Sequence, residues 1–172
     1  MKLKIIAAIG KNNELGISGG LPPWKLQKDM ERFRNLTTGG SVVMGRKTFE
    51  SFPEKFRPLP NRRNIVLTRD KSWEAAGAET ISNISEILNP PSPLKRGEES
   101  AVWIIGGGEI YKQFLDKADE LHITHVDGEF SADTFFPTID NNIWEAFSEE
   151  IISADEKNSH PSVYTIYRKI IS

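Results

Sequence analysis

The chain has 172 residues, a formal net charge of −2 and a pI near 6.0, with 38% hydrophobic and 27% charged residues. This composition is typical of a soluble globular protein, and the length predicts a single domain over residues 1–172. The charge argues against nucleic acid or an anionic membrane as the main partner. The absence of cysteine excludes disulfides, thiolate metal sites and cysteine nucleophiles.

The first ten residues, MKLKIIAAIG, combine basic residues with a short apolar segment, as signal peptides do. The apolar segment is only about six residues long and no small-residue cleavage site follows, so we interpret it as a first β-strand. No segment reaches the roughly 18 apolar residues that cross a membrane. These features predict a cytoplasmic enzyme or binding protein.

Short apolar segments alternate with helical patterns over the first 120 residues. The predicted strands are 3–9, 41–45, 64–68, 101–105 and 120–126, and the predicted helices are about 25–35, 46–52, 83–88 and 108–117. This alternation indicates parallel strands joined by crossovers. Segments 144–152 and 162–170 then predict an antiparallel C-terminal hairpin. We therefore predict an α/β fold with a mostly parallel sheet, and an exposed loop over the proline-rich segment 89–100.

The first predicted helix places a carboxylate among apolar residues. Leu26, Met30, Phe33 and Leu36 fall at helical spacing, and Asp29 lies on the edge of the same stripe. A carboxylate in apolar surroundings needs a partner, since burying it without one costs several kcal/mol. The alternative is that the acid only interacts with the dipole of the helix in its first turn.

Three predicted strand ends carry groups that suit an anion, at the edge of the sheet where ligands bind in open α/β folds. One strand runs into Gly106–Gly108 and a helix, another into Arg46 and Lys47, and a third into Thr68 and Arg69. Alone, a glycine triplet is usually a tight turn and a cationic pair a solvated surface. Together the three ends favour a nucleotide, and the two cations favour NADPH over NADH. The glycines match neither a P-loop nor the GxGxxG fingerprint.

These segments, taken in order, resemble the dihydrofolate reductase family. The resemblance rests on IIAAIGKNNELGISGGLPPW, the Asp29 helix, VVMGRKTFES, RPLPNRRNIVLTR, WIIGGGEIYKQF, LHITHV, ADTFFP and the C-terminal hairpin, which together cover nearly the whole chain. It implies an eight-stranded sheet flanked by four helices. It also implies NADPH-dependent reduction of dihydrofolate to tetrahydrofolate, with hydride added to C6 and a proton to N5, in support of one-carbon metabolism.

The resemblance implies roles for individual residues. The catalytic residues would be Asp29, Leu21 and Thr124. Asp29 would bind the pteridine and assist a water-delivered proton, Phe33 would stack beside the pterin, and Arg62 would hold the substrate's α-carboxylate. The substrate-binding residues would be Ile6, Ala8, Asp29, Phe33, Phe52, Arg57, Leu59, Arg62, Ile105, Tyr111 and Thr124.

The same resemblance implies a cofactor site and a mobile loop. The cofactor-binding residues would be Ala8, Leu15, Gly16, Gly45, Arg46, Lys47, Thr48, Leu67, Thr68, Arg69, Ile105, Gly107, Gly108, Glu109, Ile110, Tyr111, Gln113 and Thr134. Segment 10–24 would form a lid over the nicotinamide, braced by Asp133 in a neighbouring loop. Two features depart from the family pattern: the lid has LPPW in place of the commoner LPW, and Glu109 stands where some members have an arginine.

Other functions fit the sequence less well. A reductase of the same fold that acts on a pyrimidine intermediate of flavin synthesis would not need Arg62 as a clamp for a glutamate tail. A non-catalytic nucleotide-binding module would be expected to lose the lid glycines or Asp29. His122 and His125 are three apart on a predicted strand, which places them on opposite faces and argues against a metal site. The expected partner is a small-molecule substrate, and neither nucleic acid nor a membrane is expected. The expected oligomeric state is a monomer.

Overall fold

The computed structural model describes residues 2–17, 20, 22–88 and 101–170. Its strands are β1 Leu3–Ile9, β2 Glu14–Gly16, β3 Ser41–Gly45, β4 Arg63–Leu67, β5 Ala78–Ile81, β6 Val102–Gly106, β7 Glu120–Val126, β8 Thr134–Phe135, β9 Trp144–Ile152 and β10 Ser162–Lys169. Its α-helices are α1 Gln27–Thr37, α2 Arg46–Ser51, α3 Ser85–Leu88 and α4 Gly108–Phe114. Single 3₁₀ turns lie at Glu54–Phe56 and Leu115–Lys117.

Eight of these strands form one sheet in the order β5-β4-β3-β6-β1-β7-β10-β9. The pairs from β5 to β7 are parallel, and β10 runs antiparallel to both β7 and β9. The short strands β2 and β8 pair separately. The predicted α/β fold, with a mostly parallel sheet, four helices and an antiparallel C-terminal hairpin, is confirmed.

The core lies on both sides of the sheet, as expected when helices cover both faces of parallel strands. On one side Ile5, Val43 and Ile104 pack with Phe114 of α4. On the other side Val42, Met44 and Val66 pack in the cluster that contains Ile6 and Ile105. Adjacent residues of β1, such as Ile5 and Ile6, point to opposite faces because side chains alternate along a strand.

Several predicted bounds differ from the structure. The first helix begins at Gln27, because the preceding Lys25 exchanges hydrogen bonds with Ser159 and Leu26 forms a β-bridge with Asn158. The fourth helix ends at Phe114 and tightens into a 3₁₀ turn before β7. Strands β2, β5 and β8 were not predicted, since each has four residues or fewer and little apolar patterning. The predicted 89–100 loop lies outside the described residues.

The apolar stripe predicted for α1 is only partly correct. Leu26 is buried and Phe33 packs against the core, but Met30 and Leu36 are 55% and 36% exposed. The side of the helix that faces the core instead carries Leu26, Phe33 and the buried Thr37. These residues are seven and four positions apart, which corresponds to whole helical turns. Thr37 is tolerated inside because its hydroxyl donates to the Phe33 carbonyl at 2.7 Å. No helix in the described ranges is long and apolar enough to cross a membrane.

Candidate active site

Asp29 of α1 lies against the middle of β7. The hydroxyl of Thr124, which is 1% exposed, donates a hydrogen bond of 2.6 Å to Oδ1 of Asp29. Burial raises the pKa of Asp29 above its ordinary value, while the Thr124 hydrogen bond and the positive charge of Arg32 act in the opposite direction. The carboxyl is therefore held in a site that makes its ionisation harder than in water.

Apolar and aromatic predicted site residues gather on the same side of the sheet as Asp29. Ile6, Leu59 and Ile105 belong to one buried cluster, and Phe33 and Phe52 pack against it. Ala8 is the register partner of Thr124 in the β1–β7 pair, which places it beside the acid on the sheet. The structure thus brings together the apolar residues that were predicted to surround a flat ring.

Tyr111 connects α4 to the first strand. Its hydroxyl donates to the carbonyl of Ile6 at 2.8 Å, and the side chain is buried. Burial, and secondarily the charge of Asp29, raise the pKa of Tyr111, so it stays neutral and acts as a hydrogen-bond donor. A Cβ atom on Gly106 would lie 3.2 Å from the same hydroxyl, so this end of β6 approaches Tyr111 closely.

Glycines allow close packing at the carboxyl ends of β3 and β6. A Cβ on Gly45 would lie 3.2 Å from Ile110, and one on Gly107 would lie 3.2 Å from the hydroxyl of Thr48. A Cβ on Gly108 would lie 2.9 Å from the carbonyl oxygen of Phe135, which is closer than such contacts normally allow. The predicted cofactor-binding residues Leu15 and Thr134 also lie within 3.8 Å and 3.1 Å of that position.

The predicted cations lie at the same edge of the sheet. Arg46 is in the first turn of α2, where its Nε contacts Glu50 at 2.8 Å and its Nη1 contacts Asp70 at 3.0 Å. Lys47 and Arg69 are exposed. Of the predicted cationic pair, Arg46 is thus partly neutralised by two carboxylates.

The remaining predicted cofactor residues flank these groups. The hydroxyl of Thr68 accepts a hydrogen bond from the backbone N–H of Asp70, and Leu67 packs against the core. Glu109 and Gln113 are exposed on α4, where the Gln113 side chain donates to the Glu109 carbonyl at 3.1 Å.

Arg62 and Arg57 lie on the loops before β4. The Nε of Arg62 donates to the Thr37 hydroxyl at 2.8 Å, and its guanidinium lies 5.7 Å from the ring centroid of Phe33. Arg57 donates to the Glu50 carbonyl at 3.3 Å and lies 3.7 Å from Glu54. Arg62 is therefore oriented beside the aromatic side chain of the site, whereas Arg57 contacts α2 and the 3₁₀ turn that precedes it.

The predicted lid is anchored by β2. Gly16 pairs with Thr134 of β8, and its carbonyl accepts the backbone N–H of Asp133 at 3.2 Å. Glu14, which sequence reasoning missed, is 3% exposed and accepts the N–H of Asn12 at 2.7 Å. Burial alone would raise the pKa of Glu14, but backbone N–H donors outweigh it and the pKa is lowered. Leu21, a predicted catalytic residue, lies outside the described residues.

Sequence reasoning also missed a polar network on β7 and β10, on the face of β7 that carries Thr124. Nδ1 of His122 lies 2.6 Å from the hydroxyl of Tyr164, and its Nε2 lies 3.4 Å from Glu120. The guanidinium of Arg32 stacks 3.8 Å above the ring centroid of Tyr164. The signal was present in β7, where Glu120, His122 and Thr124 alternate with apolar residues and so share one face.

The two histidines of β7 contact different tyrosines of β10. His122 contacts Tyr164, whereas His125 contacts the hydroxyl of Tyr167 at 2.8 Å. Within the described ranges, no group of three or more histidine, aspartate or glutamate side chains is placed to hold a metal ion.

An open α/β sheet with a partly buried acid on one side of its middle strands, and with glycines and cations at the strand ends, is typical of a nucleotide-dependent enzyme. The dihydrofolate reductase family model matches residues 2–169. Dihydrofolate reductase from Staphylococcus aureus (strain Mu50) is 38% identical over 164 residues, covering 95% of this chain and 96% of that protein. Dihydrofolate reductase type 3 from Salmonella typhimurium is 39% identical over 160 residues, covering 93% of each.

The fold agrees with these relatives. Dihydrofolate reductase from Enterococcus faecalis, solved in complex with NADP(H) and RAB-propyl, aligns with a TM-score of 0.87 and 33% identity over 98% of this chain and 96% of that chain. The chain therefore belongs to the dihydrofolate reductase family. It is an oxidoreductase that uses NADPH to reduce dihydrofolate.

Proposed function

We propose that Asp29 is the acid that binds the pteridine of dihydrofolate and assists its protonation at N5. The observation that supports this role is the Thr124–Asp29 hydrogen bond of 2.6 Å, which fixes one carboxyl oxygen. The second oxygen, Oδ2, then has a defined direction for donors of a ligand. A carboxyl whose pKa is raised by burial holds a proton more readily than an exposed one, which favours a part in proton transfer.

Ile6, Phe33, Phe52, Leu59 and Ile105 supply the apolar surroundings of that acid. Excluding water from the reacting atoms strengthens every electrostatic interaction there. Packing in one cluster keeps these side chains in place, so a flat ring would be bound between Phe33 and the opposite wall. Arg62 extends the site outward, and its planar guanidinium suits the carboxylate of a glutamate tail.

The residues at the strand ends fit a dinucleotide. Gly107 and Gly108 bring the backbone close to the neighbouring elements at the start of α4, where the N–H groups of Ile110 and Tyr111 already donate to the Gly107 carbonyl. Arg46, Lys47 and Arg69 supply positive charge for the phosphates. When bound, NADPH supplies the hydride that adds to C6 of dihydrofolate.

The nearest alternative is the pyrimidine reductase of flavin synthesis. Arg62 and Asp29 on the same side of the sheet favour a substrate that has both a pteridine and a carboxylate tail. We also propose that the chain acts as a single-domain monomer in the cytoplasm. One sheet connects β1 near the start to β10 near the end, which supports one domain.

The test is a spectrophotometric assay of the purified protein with NADPH, following the loss of reduced-nicotinamide absorbance. We expect oxidation that requires dihydrofolate, is not supported by a pyrimidine substrate, and collapses in Asp29→Asn. Asp116→Asn is the matched control, since the exposed carboxylate of Asp116 pairs with Lys117, and Lys169 donates to its backbone carbonyl. NADPH binding without dihydrofolate-dependent oxidation would contradict the proposed roles.

A further inference from the structure

Arg32 lies three residues after Asp29 on α1, and its side chain is held by two elements of the C-terminal hairpin. Its Nη2 contacts Oε2 of Glu150 on β9 at 2.7 Å, and the guanidinium stacks 3.8 Å above Tyr164 of β10. The side chain is only 13% exposed. An arginine this buried is uncommon unless it is paired, and both its charge and its planar surface are used here.

The contacts of Arg32 and Asp29 lie side by side on the sheet. Tyr164, which stacks under Arg32, is the register partner of Thr124, which donates to Asp29. Residues three apart lie on neighbouring parts of a helix surface. The first turns of α1 are therefore attached to adjacent positions of β7 and β10 by two side chains, one acidic and one basic.

The charge of Arg32 is only partly neutralised. Glu150 is shared with Lys28, whose Nζ lies 2.7 Å from Oε1 of the same carboxylate. The Nη1 atom of Arg32 is buried and has no hydrogen-bond partner in the described part of the chain. A buried cation with an unpaired donor keeps a strong field, because low-dielectric surroundings screen it weakly.

We propose that Arg32 is a positioning residue for the reduction, which orients Asp29 against Thr124 and sets the pH range in which Asp29 changes its protonation. This inference rests on the proposed role of Asp29. Arg32 acts through Asp29 and not on the substrate, since its guanidinium is directed at Tyr164 and Glu150.

The other titratable groups near Asp29 either keep one charge state between about pH 4 and neutral pH or interact with Arg32 themselves. Tyr111 on α4 stays neutral, and burial raises the pKa of Tyr164 on β10 to about 12. His122 on β7 is neutral above about pH 4, because burial lowers its pKa to about 4. Lys28 and Glu150 remain, and Lys28 shares the Glu150 carboxylate with Arg32.

Two variants move the field at Asp29 in opposite directions. Arg32→Met removes the cation while keeping an unbranched side chain over Tyr164, so the midpoint at which the Asp29 carboxyl titrates should rise by about 0.5 to 1 in pH. Glu150→Gln removes the carboxylate that neutralises Arg32, so the midpoint should fall. Glu150 is 44% exposed, so the second substitution disturbs the fold little and tests the proposal even if Arg32→Met fails to fold.

The measurement is ¹³C NMR titration of carboxyl-labelled aspartate in the ligand-free protein, with the Asp29 signal assigned by its loss in Asp29→Asn. Arg34→Met is the matched control, since it removes a cation from an exposed position of the same helix. The pH dependence of the hydride-transfer rate, measured in a single turnover, should move in the same direction as the midpoint in each variant. An Asp29 midpoint that is unchanged in the folded variants, with rates lowered equally at every pH, would overturn the proposal. Shifted midpoints with an unshifted rate profile would keep the electrostatic effect of Arg32 but would contradict the assigned role of Asp29.

Discussion

The hydroxyl of Thr124 lies 2.6 Å from Oδ1 of Asp29, and this hydrogen bond joins the middle of β7 to the first turn of α1. Thr124 is fully enclosed, so its hydroxyl cannot turn to water if the carboxyl moves. The relationship makes Thr124 the residue that determines which oxygen of Asp29 remains available for a ligand.

We predict that Thr124→Val lowers dihydrofolate turnover about tenfold or more, because a buried acceptor that loses its donor costs about 1–3 kcal/mol. The pKa of Asp29 should also rise further, since the Thr124 hydrogen bond lowers it. Steady-state kinetics and the pH profile of the variant provide the measurement. Thr124→Ser keeps the hydroxyl and should retain most of the activity; equal losses in both variants would indicate a packing effect.

Arg62→Leu should weaken binding of dihydrofolate by about 10- to 100-fold and leave NADPH affinity nearly unchanged, because a charge-assisted contact to the tail is lost. Binding of each ligand can be followed by fluorescence titration. Arg63→Leu is a suitable control, since Arg63 is the next residue but forms an ion pair with Glu79 at 2.6 Å on the edge strand. A dihydropteroate without the glutamate tail should bind the wild type and Arg62→Leu alike. Equal losses for dihydrofolate and NADPH would refute the assignment.

Gly108→Ala should weaken NADPH binding about tenfold and destabilise the protein by about 1–3 kcal/mol, because the added Cβ would lie 2.9 Å from the Phe135 carbonyl oxygen. Gly107→Ala is the matched comparison, since its Cβ would meet only the Thr48 hydroxyl at 3.2 Å, which can rotate. Thermal unfolding and NADPH titration of the two variants should show the larger effect at Gly108. A larger effect at Gly107 would mean that the backbone approaches its neighbours more closely at Gly107 than at Gly108.

The buried side chain of His122 predicts that the stability of the protein depends on pH. Burial lowers the pKa of His122 from 6.5 to about 4, so the unfolded chain takes up a proton that the folded protein excludes between these values. The free energy of unfolding should therefore be fully maintained above pH 6.5 and fall, by on the order of 3 kcal/mol, as the pH drops to 4.

Urea denaturation of the wild type and His122→Gln across this range provides the test. The variant should lose less stability between pH 6.5 and 4, because it has no proton to take up at this position. His160→Gln, in the β9–β10 loop, should behave as the wild type does. A slope that is the same in His122→Gln would show that other groups cause the acid sensitivity.

The sequence predicted the parts of the fold that depend on strong apolar patterning. Segments 3–9 and 120–126 became strands with those bounds. The first is mostly apolar, as in a strand buried on both faces, and in the second apolar residues alternate with polar ones. Strand β5 could not be predicted, since its residues Ala78–Ile81 form an exposed edge and carry only the four-residue sequence AETI. Such a strand exists because β4 offers it a partner, which is a tertiary effect.

The candidate site was also predicted only in part. Asp29 was singled out because a carboxylate among apolar residues on a helix is visible as a pattern. Arg32 was not singled out from the sequence, because its partners Tyr164 and Glu150 are more than 100 positions away and meet it only through the register of β9 and β10. Met30 and Leu36 show the opposite error, since apolar spacing alone cannot tell which side of a helix the protein covers.

The most direct test of the account is the single-turnover rate of hydride transfer from NADPH to dihydrofolate in the wild type and Asp29→Asn, measured from acidic to alkaline pH. We predict that the variant is slower by about 10²–10⁴ at neutral pH, the usual contribution of acid–base assistance, and that the deficit shrinks at low pH, where the substrate arrives already protonated. Near-normal hydride transfer by Asp29→Asn at neutral pH, or a deficit that is the same at every pH, would contradict the role assigned to Asp29.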